Sequence, residues 1–553
     1  MTSGTSQQDV SGPNRALVTV SVMLATIMQV LDSTIANVAL PHMQGSLSAT
    51  QDQITWVLTS YIVAAAIATP LTGWIASRVG RKQLFLWAVA GFTAASIACG
   101  MSTSLGQMVG ARLLQGLFGA SLVPLSQAVM LDINPPEKHG QAMAVWGAGV
   151  TVGPILGPTL GGWLTDSYNW RWVFYVNVPV GIIAFFGIWL FMSETRVSAR
   201  KLDLFGFASL GIAIGALQLF LDRGEVQDWF DSIEIWVESL TALIAFAFFL
   251  VHTLTVQTTS FFNRELAKDR NFVVGCGFYF VMGAVLYATR ALLPPMLQNL
   301  MQYSVVKTGL VTAPSGAGTM ITMMLAGRLV GPVSPRTLIA AGFGIAAFSL
   351  WQMSGYNMYM SESTIIWSGF LQGMGLGLIS VSLTTATFST LGQELRGDGT
   401  AIYSLSRNIG SSIGISFVQT ELTRNTQVAH SSLAEYVSRF NPLAQPDVLP
   451  FVWNINDPSG LAALNQEVTR QAAMIAYVDD FRLLLCLTVG VMPFLVLLGK
   501  RAYVRSKRKH LATTVIDDGE KRHQSGAHHF RFDGHHCDRA GSQAGEPQGA
   551  PKL

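Results

Sequence analysis

Gly149-Val150-Thr151-Val152-Gly153-Pro154-Ile155-Leu156-Gly157-Pro158-Thr159-Leu160-Gly161-Gly162 carries no charge and repeats glycine at every fourth position. At 3.6 residues per turn, the glycines at 149, 153, 157 and 161 share one face of a helix. That face is a bare ridge on which a second backbone can approach closely. Pro154 and Pro158 each remove a helix hydrogen bond and permit bending. A tight static contact and a hinge both fit this stretch.

The surrounding chain has no means of covering a water-soluble fold. Of its 553 residues half are hydrophobic and 12% are charged, against roughly 25% charged in a soluble domain. The apolar residues fall in runs of about 18 to 25, the length at which a helix crosses roughly 30 Å of hydrocarbon. A membrane barrel would instead show short alternating segments. The fold class is therefore all-α and polytopic. Cys99, Cys276, Cys486 and Cys537 are far apart and form neither a disulfide framework nor a zinc spacing. The start of the chain lacks the basic region and cleavage site of a secretory signal, so the first apolar run is expected to stay as a membrane helix.

Apolar runs between polar or Gly/Pro-rich breaks predict about fourteen spans, the first at 16–39 and the last at 481–501. Basic residues gather in alternate short loops: Arg78, Arg81 and Lys82; Lys138; Arg196, Arg200 and Lys201; Arg264, Lys268 and Arg270; Arg396; and the run from Lys500 to Lys509. By the positive-inside rule those loops and both termini face the cytoplasm, which requires an even number of spans. Residues 423–480 form a long polar segment on the outer side, in which 461–477 has the spacing of a separate external helix. The polar tail from 503 to 553, with five of its residues His528, His529, His535, His536 and Cys537, is expected to be disordered.

Asp32 is an acid inside the first span, within Leu31-Asp32-Ser33-Thr34-Ile35-Ala36-Asn37-Val38-Ala39-Leu40-Pro41. An ionisable group at that depth is costly unless paired or wetted, so it is a functional candidate by default. Arg112, inside the fourth span, is the matching cation. Burial favours the neutral acid and a nearby guanidinium favours the carboxylate, so a group held between the two can exchange a proton as its surroundings change. The alternative is a permanent pair that fixes helix packing. Gly73-Trp74-Ile75-Ala76-Ser77-Arg78-Val79-Gly80-Arg81-Lys82 is a compact basic turn whose glycines suit a tight reversal. Thr34, Asn37, Trp56, Tyr61, Gln115, Phe280 and Tyr287 are candidates for lining a substrate cavity.

These motifs together resemble the major facilitator superfamily, in particular its fourteen-helix drug:proton antiporter branch of the EmrB/QacA type, over about residues 16–500. Leu31 to Pro41 resembles the branch's first-helix motif and Gly73 to Lys82 the superfamily's loop motif. Arg112, Gln115 and Gly116 resemble its fourth-helix motif, and Gly149 to Gly162 its antiporter motif. Trp170 to Pro179 also looks like this branch. Ser77 is a departure, standing where the loop motif usually has an acid that helps latch the two halves.

The resemblance implies two six-helix bundles, 16–195 and 261–502, with two inserted helices in 196–260, between a cytoplasmic N-terminal tail (1–15) and the disordered tail. It implies proton-coupled export of small amphipathic compounds across the bacterial inner membrane by alternating access. Asp32 and Arg112 would couple the proton, no cofactor is needed beyond the proton gradient, and a periplasmic adaptor and outer-membrane channel are implied partners. Export of one dedicated metabolite or siderophore is the alternative. The sequence has no metal-ligand cluster, nucleophile elbow or P-loop, which argues against a membrane-embedded enzyme. Nothing in it suggests nucleic-acid binding, and a non-transporting receptor would not need Asp32 and Arg112 inside spans.

Overall fold

A computed structural model of the chain describes residues 12–194, 203–255, 264–438, 441–442, 453–454 and 457–499. The tail from 503 onward, with its histidines, lies outside the described residues. All regular structure among the described residues is helical apart from one isolated bridge, Val330 to Val333. In hydrocarbon, backbone groups have no water to bond, so an apolar run satisfies them within its own helix.

The first half contains α1 (Gly12–Ser46), α2 (Trp56–Ala68), α3 (Leu71–Val79), α4 (Arg81–Met101), α5 (Leu105–Gly119), α6 (Leu122–Asp132), α7 (His139–Ser167) and α8 (Asn177–Phe191). Two helices follow, α9 (Leu204–Arg223) and α10 (Ile233–Thr255). The second half contains α11 (Arg270–Pro295), α12 (Val305–Leu329), α13 (Pro335–Met353), α14 (Glu362–Phe388), α15 (Arg396–Ala434) and α16 (Pro458–Val491). Side chains of Asp203, Asp269, Ser304, Ser334 and Asp457 accept backbone N–H groups at the starts of α9, α11, α12, α13 and α16. Large apolar residues such as Trp87, Ile183, Leu190, Leu243 and Phe248 stand outward, as a lipid-facing surface requires.

Eleven helices among the described residues are long and apolar enough to cross a membrane, or twelve if α2 and α3, bent by 57° at Thr69-Pro70, form one span. The expected count of fourteen also included α13 and α15, which are helical but fall short on apolarity. The outer segment departs further from expectation. α15 continues for 39 residues, about 58 Å at 1.5 Å per residue, well beyond a roughly 30 Å hydrocarbon core. Residues 461–477 are not a separate external helix but the first half of α16, which runs unbroken to Val491. Asn465, Gln466, Glu467, Arg470 and Gln471 made that half look distinct, yet polar residues do not interrupt a helix where glycine and proline are absent. α15 and α16 pack side by side, with His430 Nε2 3.0 Å from Asn465 Oδ1, and Arg470 of α16 donates to the carbonyl of Leu300, just beyond α11, at 3.3 Å.

The glycine ridge faces α1. A Cβ at Gly153 would lie 2.7 Å from Val30 Cγ1 and 2.9 Å from the Leu31 nitrogen, and one at Gly161 would lie 2.7 Å from Ile35 Cγ1. Gly149 and Gly157 leave equally little room against Met23 and Thr34. α7 continues through Pro154 and Pro158 without a break. Its Gly140 and Gly147 meet Val330 and Met323 of the second half, so α7 lies between α1 and α12.

Gly153→Ala is expected to force α1 from α7, lowering stability by about 1–3 kcal/mol and abolishing transport. Gly162→Ala, whose Cβ would meet only Val38 at 4.0 Å, is expected to be tolerated. Thermal melts of the two purified variants, together with efflux assays, provide the comparison.

Candidate functional site

Asp32 lies midway along α1 and is fully buried, as is Arg112 of α5. Arg112 Nη1 donates to Asp32 Oδ2 at 2.7 Å and to Gln115 Oε1, one turn further along α5, at 2.7 Å. Gln115 Nε2 in turn donates to Asp32 Oδ1 at 2.9 Å and to Ser96 Oγ of α4 at 2.6 Å. Asn177 at the start of α8 donates to the same Asp32 oxygen at 2.7 Å and to Ser96 Oγ at 3.1 Å. Arg112 Nε donates to the Val57 carbonyl of α2 at 3.0 Å, and its guanidinium lies 4.3 Å from the Tyr61 ring centroid. Tyr61 is fixed by Gln29 Nε2, which donates to its hydroxyl at 2.9 Å.

Four helices therefore meet α1 at one carboxylate, bringing neutral donors, the cation, an aromatic face and the Ser96 hydroxyl that accepts from two of those donors. Burial of two charges is expensive, and their attraction compensates only when the remaining hydrogen-bonding capacity is also met. Here both carboxylate oxygens have donors. The cluster ties α1 to α5 through a charge pair whose hydrogen-bonding capacity on the carboxylate side is met.

The other candidates occupy several settings. Tyr61 and Gln115 are buried within the ion-pair cluster. Thr34 donates to the carbonyls of Leu31 at 2.9 Å and Gly153 at 3.2 Å, so it stands at the α1–α7 contact, while Asn37 is exposed. Trp56 lies under Arg223 of α9, 5.2 Å from the guanidinium, beside the Thr59 hydroxyl that donates to Asp222. Phe280 and Tyr287 are half-buried on α11; Arg290 lies 6.0 Å from the Tyr287 ring. A lateral apolar cavity of about 520 Å³, lined by Val63, Ile67, Phe207, Gly211, Gly215 and Val237, opens between α2, α9 and α10, away from Asp32.

The basic turn sits at a junction between halves. Gly80 (φ +92°) connects α3 to α5's neighbour α4 in a conformation that favours glycine. Arg81, which begins α4, forms an ion pair with Asp132 at the end of α6. Asp132 also receives Arg396 of α15 at 3.2 Å, and Arg396 donates to the Leu131 carbonyl at 3.3 Å. A Cβ at Gly73 would collide with Asp398, so the backbones of α3 and α15 touch there. Arg78 lies against Trp74 at 5.5 Å, and Lys82 follows Arg81 in the first turn of α4. Ser77 bonds within its own helix, its hydroxyl donating to the Trp74 carbonyl at 2.8 Å. The inner ends are therefore latched through Asp132, and Met130, Leu131, Met143, Phe272, Leu338 and Leu391 close an apolar cluster behind it.

Ser96, Asn177 and Gln29 were not foreseen as site residues. Their signal is a polar side chain in a run of apolar ones, which many membrane helices carry. The Asp132–Arg396 contact joins residues 264 positions apart, of which only Arg396 carries a local signal, as a basic loop residue.

Comparison with known proteins places the chain in a family. Residues 22–415 match the family model described as Major Facilitator Superfamily. The chain is 37% identical to the multidrug export protein EmrB of Escherichia coli K12, over 89% of this chain and 96% of that protein. It is 36% identical to the fatty acid resistance protein FarB of Neisseria gonorrhoeae, over 85% and 93%. The crystal structure of the human organic anion transporter MFSD10 (TETRAN) superposes with a TM-score of 0.54 at 15% identity, covering 86% of this chain and all of that one, which bears on the fold alone.

Arg112→Met is expected to destabilise the protein by about 3–5 kcal/mol, because it leaves Asp32 buried without its cation; adding Asp32→Asn should recover much of the loss. Chemical unfolding in detergent of the single and double variants measures this. At the inner end, Asp132→Asn removes the acid shared by Arg81 and Arg396. Faster hydrogen exchange at the start of α15 and in α3, with α8 unchanged, is the expected result.

Proposed function

The chain belongs to the major facilitator superfamily, and from that premise we propose that it is a proton-coupled antiporter exporting small amphipathic compounds. The observation that carries the reading is the buried Asp32–Arg112 pair with its full set of donors. An ion pair kept at this depth in a transport fold is a natural place to exchange a proton. It operates without a metal or organic cofactor, the proton gradient being the energy source.

The cycle follows from the contacts. With the inner ends latched through Asp132, access is from the outer side, where a proton reaches Asp32 and frees Arg112. The loss of that tie lets α1 shift along the smooth face of α7, and the halves rock about the α7–α12 contact. Release of the proton inside restores the pair. Substrate binds near the midplane between the halves and moves outward as the proton moves inward.

Two features refine the substrate class. Arg290 of α11 and Arg407 of α15 lie half-buried against Tyr287 and Tyr279, and Arg407 donates to Asn408 at 3.1 Å. Among the described residues neither forms an ion pair, whereas Asp32 is already neutralised by Arg112. The resulting field favours amphiphiles with an acidic group over cations, in keeping with the name of the fatty acid resistance relative. The long α15–α16 pair gives a periplasmic adaptor, leading to an outer-membrane channel, a surface to grip.

Dye efflux from energised cells with a permeabilised outer membrane tests the reading. Wild-type efflux should collapse with a protonophore, and Asp32→Asn should be inactive at normal membrane levels. A variant that pumps like wild type would remove Asp32 from the coupling role. An acidic dye should be exported in preference to its neutral ester.

A further inference from the structure

Asp480 on α16 is 1% exposed, and neither of its carboxyl oxygens has a hydrogen-bond partner among the described residues. Tyr477, Phe481 and Leu484 of the same helix and Val418 of α15 are buried with it in one apolar cluster. The charges around it give no compensation. Glu421 on the facing α15 is an acid close enough to repel it, and its own pairing is with the exposed Arg424 at 4.0 Å. Asp479 and Arg482 pair with each other at 2.9 Å on the outward side of α16. Arg470, earlier on α16, is held by Glu467 at 2.8 Å. α13 brings Arg336, bonded to the Val496 carbonyl at the opposite end, and α11 brings Arg290, which lies against Tyr287. An ionised carboxylate buried in apolar surroundings with no cation and no donor is strongly disfavoured, whereas the neutral acid is not.

We propose that Asp480 is a second proton-binding site, in the half that does not contain Asp32, loaded while α15 and α16 are packed together and emptied when they separate. Loading takes a proton from water onto one carboxyl oxygen; opening returns it to water as the carboxylate becomes hydrated. Because the packed state binds the extra proton, rising pH disfavours it. α15 joins this site to the rest of the machine, since its inner end holds the Arg396–Asp132 contact and its outer half covers Asp480. The use of this proton in transport rests on the proton-coupled reading above; its presence does not.

The test uses the full chain in lipid nanodiscs. Infrared spectra at neutral pH should show the carbonyl band of a protonated carboxylic acid, present in wild type and Asp32→Asn and lost in Asp480→Asn. Asparagine cannot ionise and is nearly isosteric, so that variant should fold. Hydrogen exchange of 415–425 and 474–484, corrected for intrinsic rates, should accelerate several-fold with rising pH in wild type and stay flat in Asp480→Asn. A band that survives Asp480→Asn overturns the proposal. A lost band with unchanged pH response of the helix pair leaves a static proton and overturns the loading and emptying. Failure of the Asp32 efflux test would alter neither readout, so the two ideas fall separately.

Discussion

A charge inside an apolar bundle must be compensated where it stands, and the first half of this protein is organised around that requirement. Asp32 cannot turn to water from the middle of α1, so α4, α5 and α8 bring Ser96, Gln115, Arg112 and Asn177 to it, and α2 brings the Val57 carbonyl to Arg112. A buried ion pair is weak evidence for stability, because a well-packed apolar replacement often does as well. What this one supplies is geometric: five helices share a single point of reference. A change of charge at Asp32 would alter the tie between α1 and α5 rather than a single side chain.

The glycine ridge gives that change somewhere to go. Met23, Val30, Thr34 and Ile35 occupy the spaces that side chains at 149, 153, 157 and 161 would fill, so α1 rests on backbone. Close backbone contact provides strong dispersion attraction without interlocking side chains. Such a surface resists separation more than it resists sliding. α7 also meets α12 through Gly140 and Gly147, which places the helix carrying the ridge between α1 and the other half.

The readable parts of the sequence were those whose physics is local. An acid in an apolar run, an arginine in another, and glycines four residues apart each announce themselves without knowledge of the fold, and Asp32 and Arg112 do meet at 2.7 Å. The polar groups around them are hidden because serine and asparagine are common in membrane helices, and the Val57 carbonyl has no side-chain signature. The inner latch was legible only by half: Arg81 stood in the loop motif, but its acid is Asp132, and the missing acid at Ser77 suggested a weaker junction than Arg81, Asp132 and Arg396 form. The outer helix pair departs from its sequence pattern for a different reason. Apolarity marks where a helix is in lipid, whereas continuity depends on backbone propensity, so polar residues from Asn465 to Gln471 disguised the upper half of α16.

The two halves treat their buried charges differently, and that asymmetry bears on direction. Asp32 and Arg112 cancel within the first half, so this pair presents little net field to the space between the halves. Arg290 and Arg407 of the second half are faced by aromatic rings and an amide, which solvate a cation without neutralising it. An acidic substrate would therefore be attracted mainly by α11 and α15. Proton and substrate then need not compete for one group: they act on opposite sides of the same gap, and α15, which carries Arg407 and ends in the latch at Arg396, is the element that both would move.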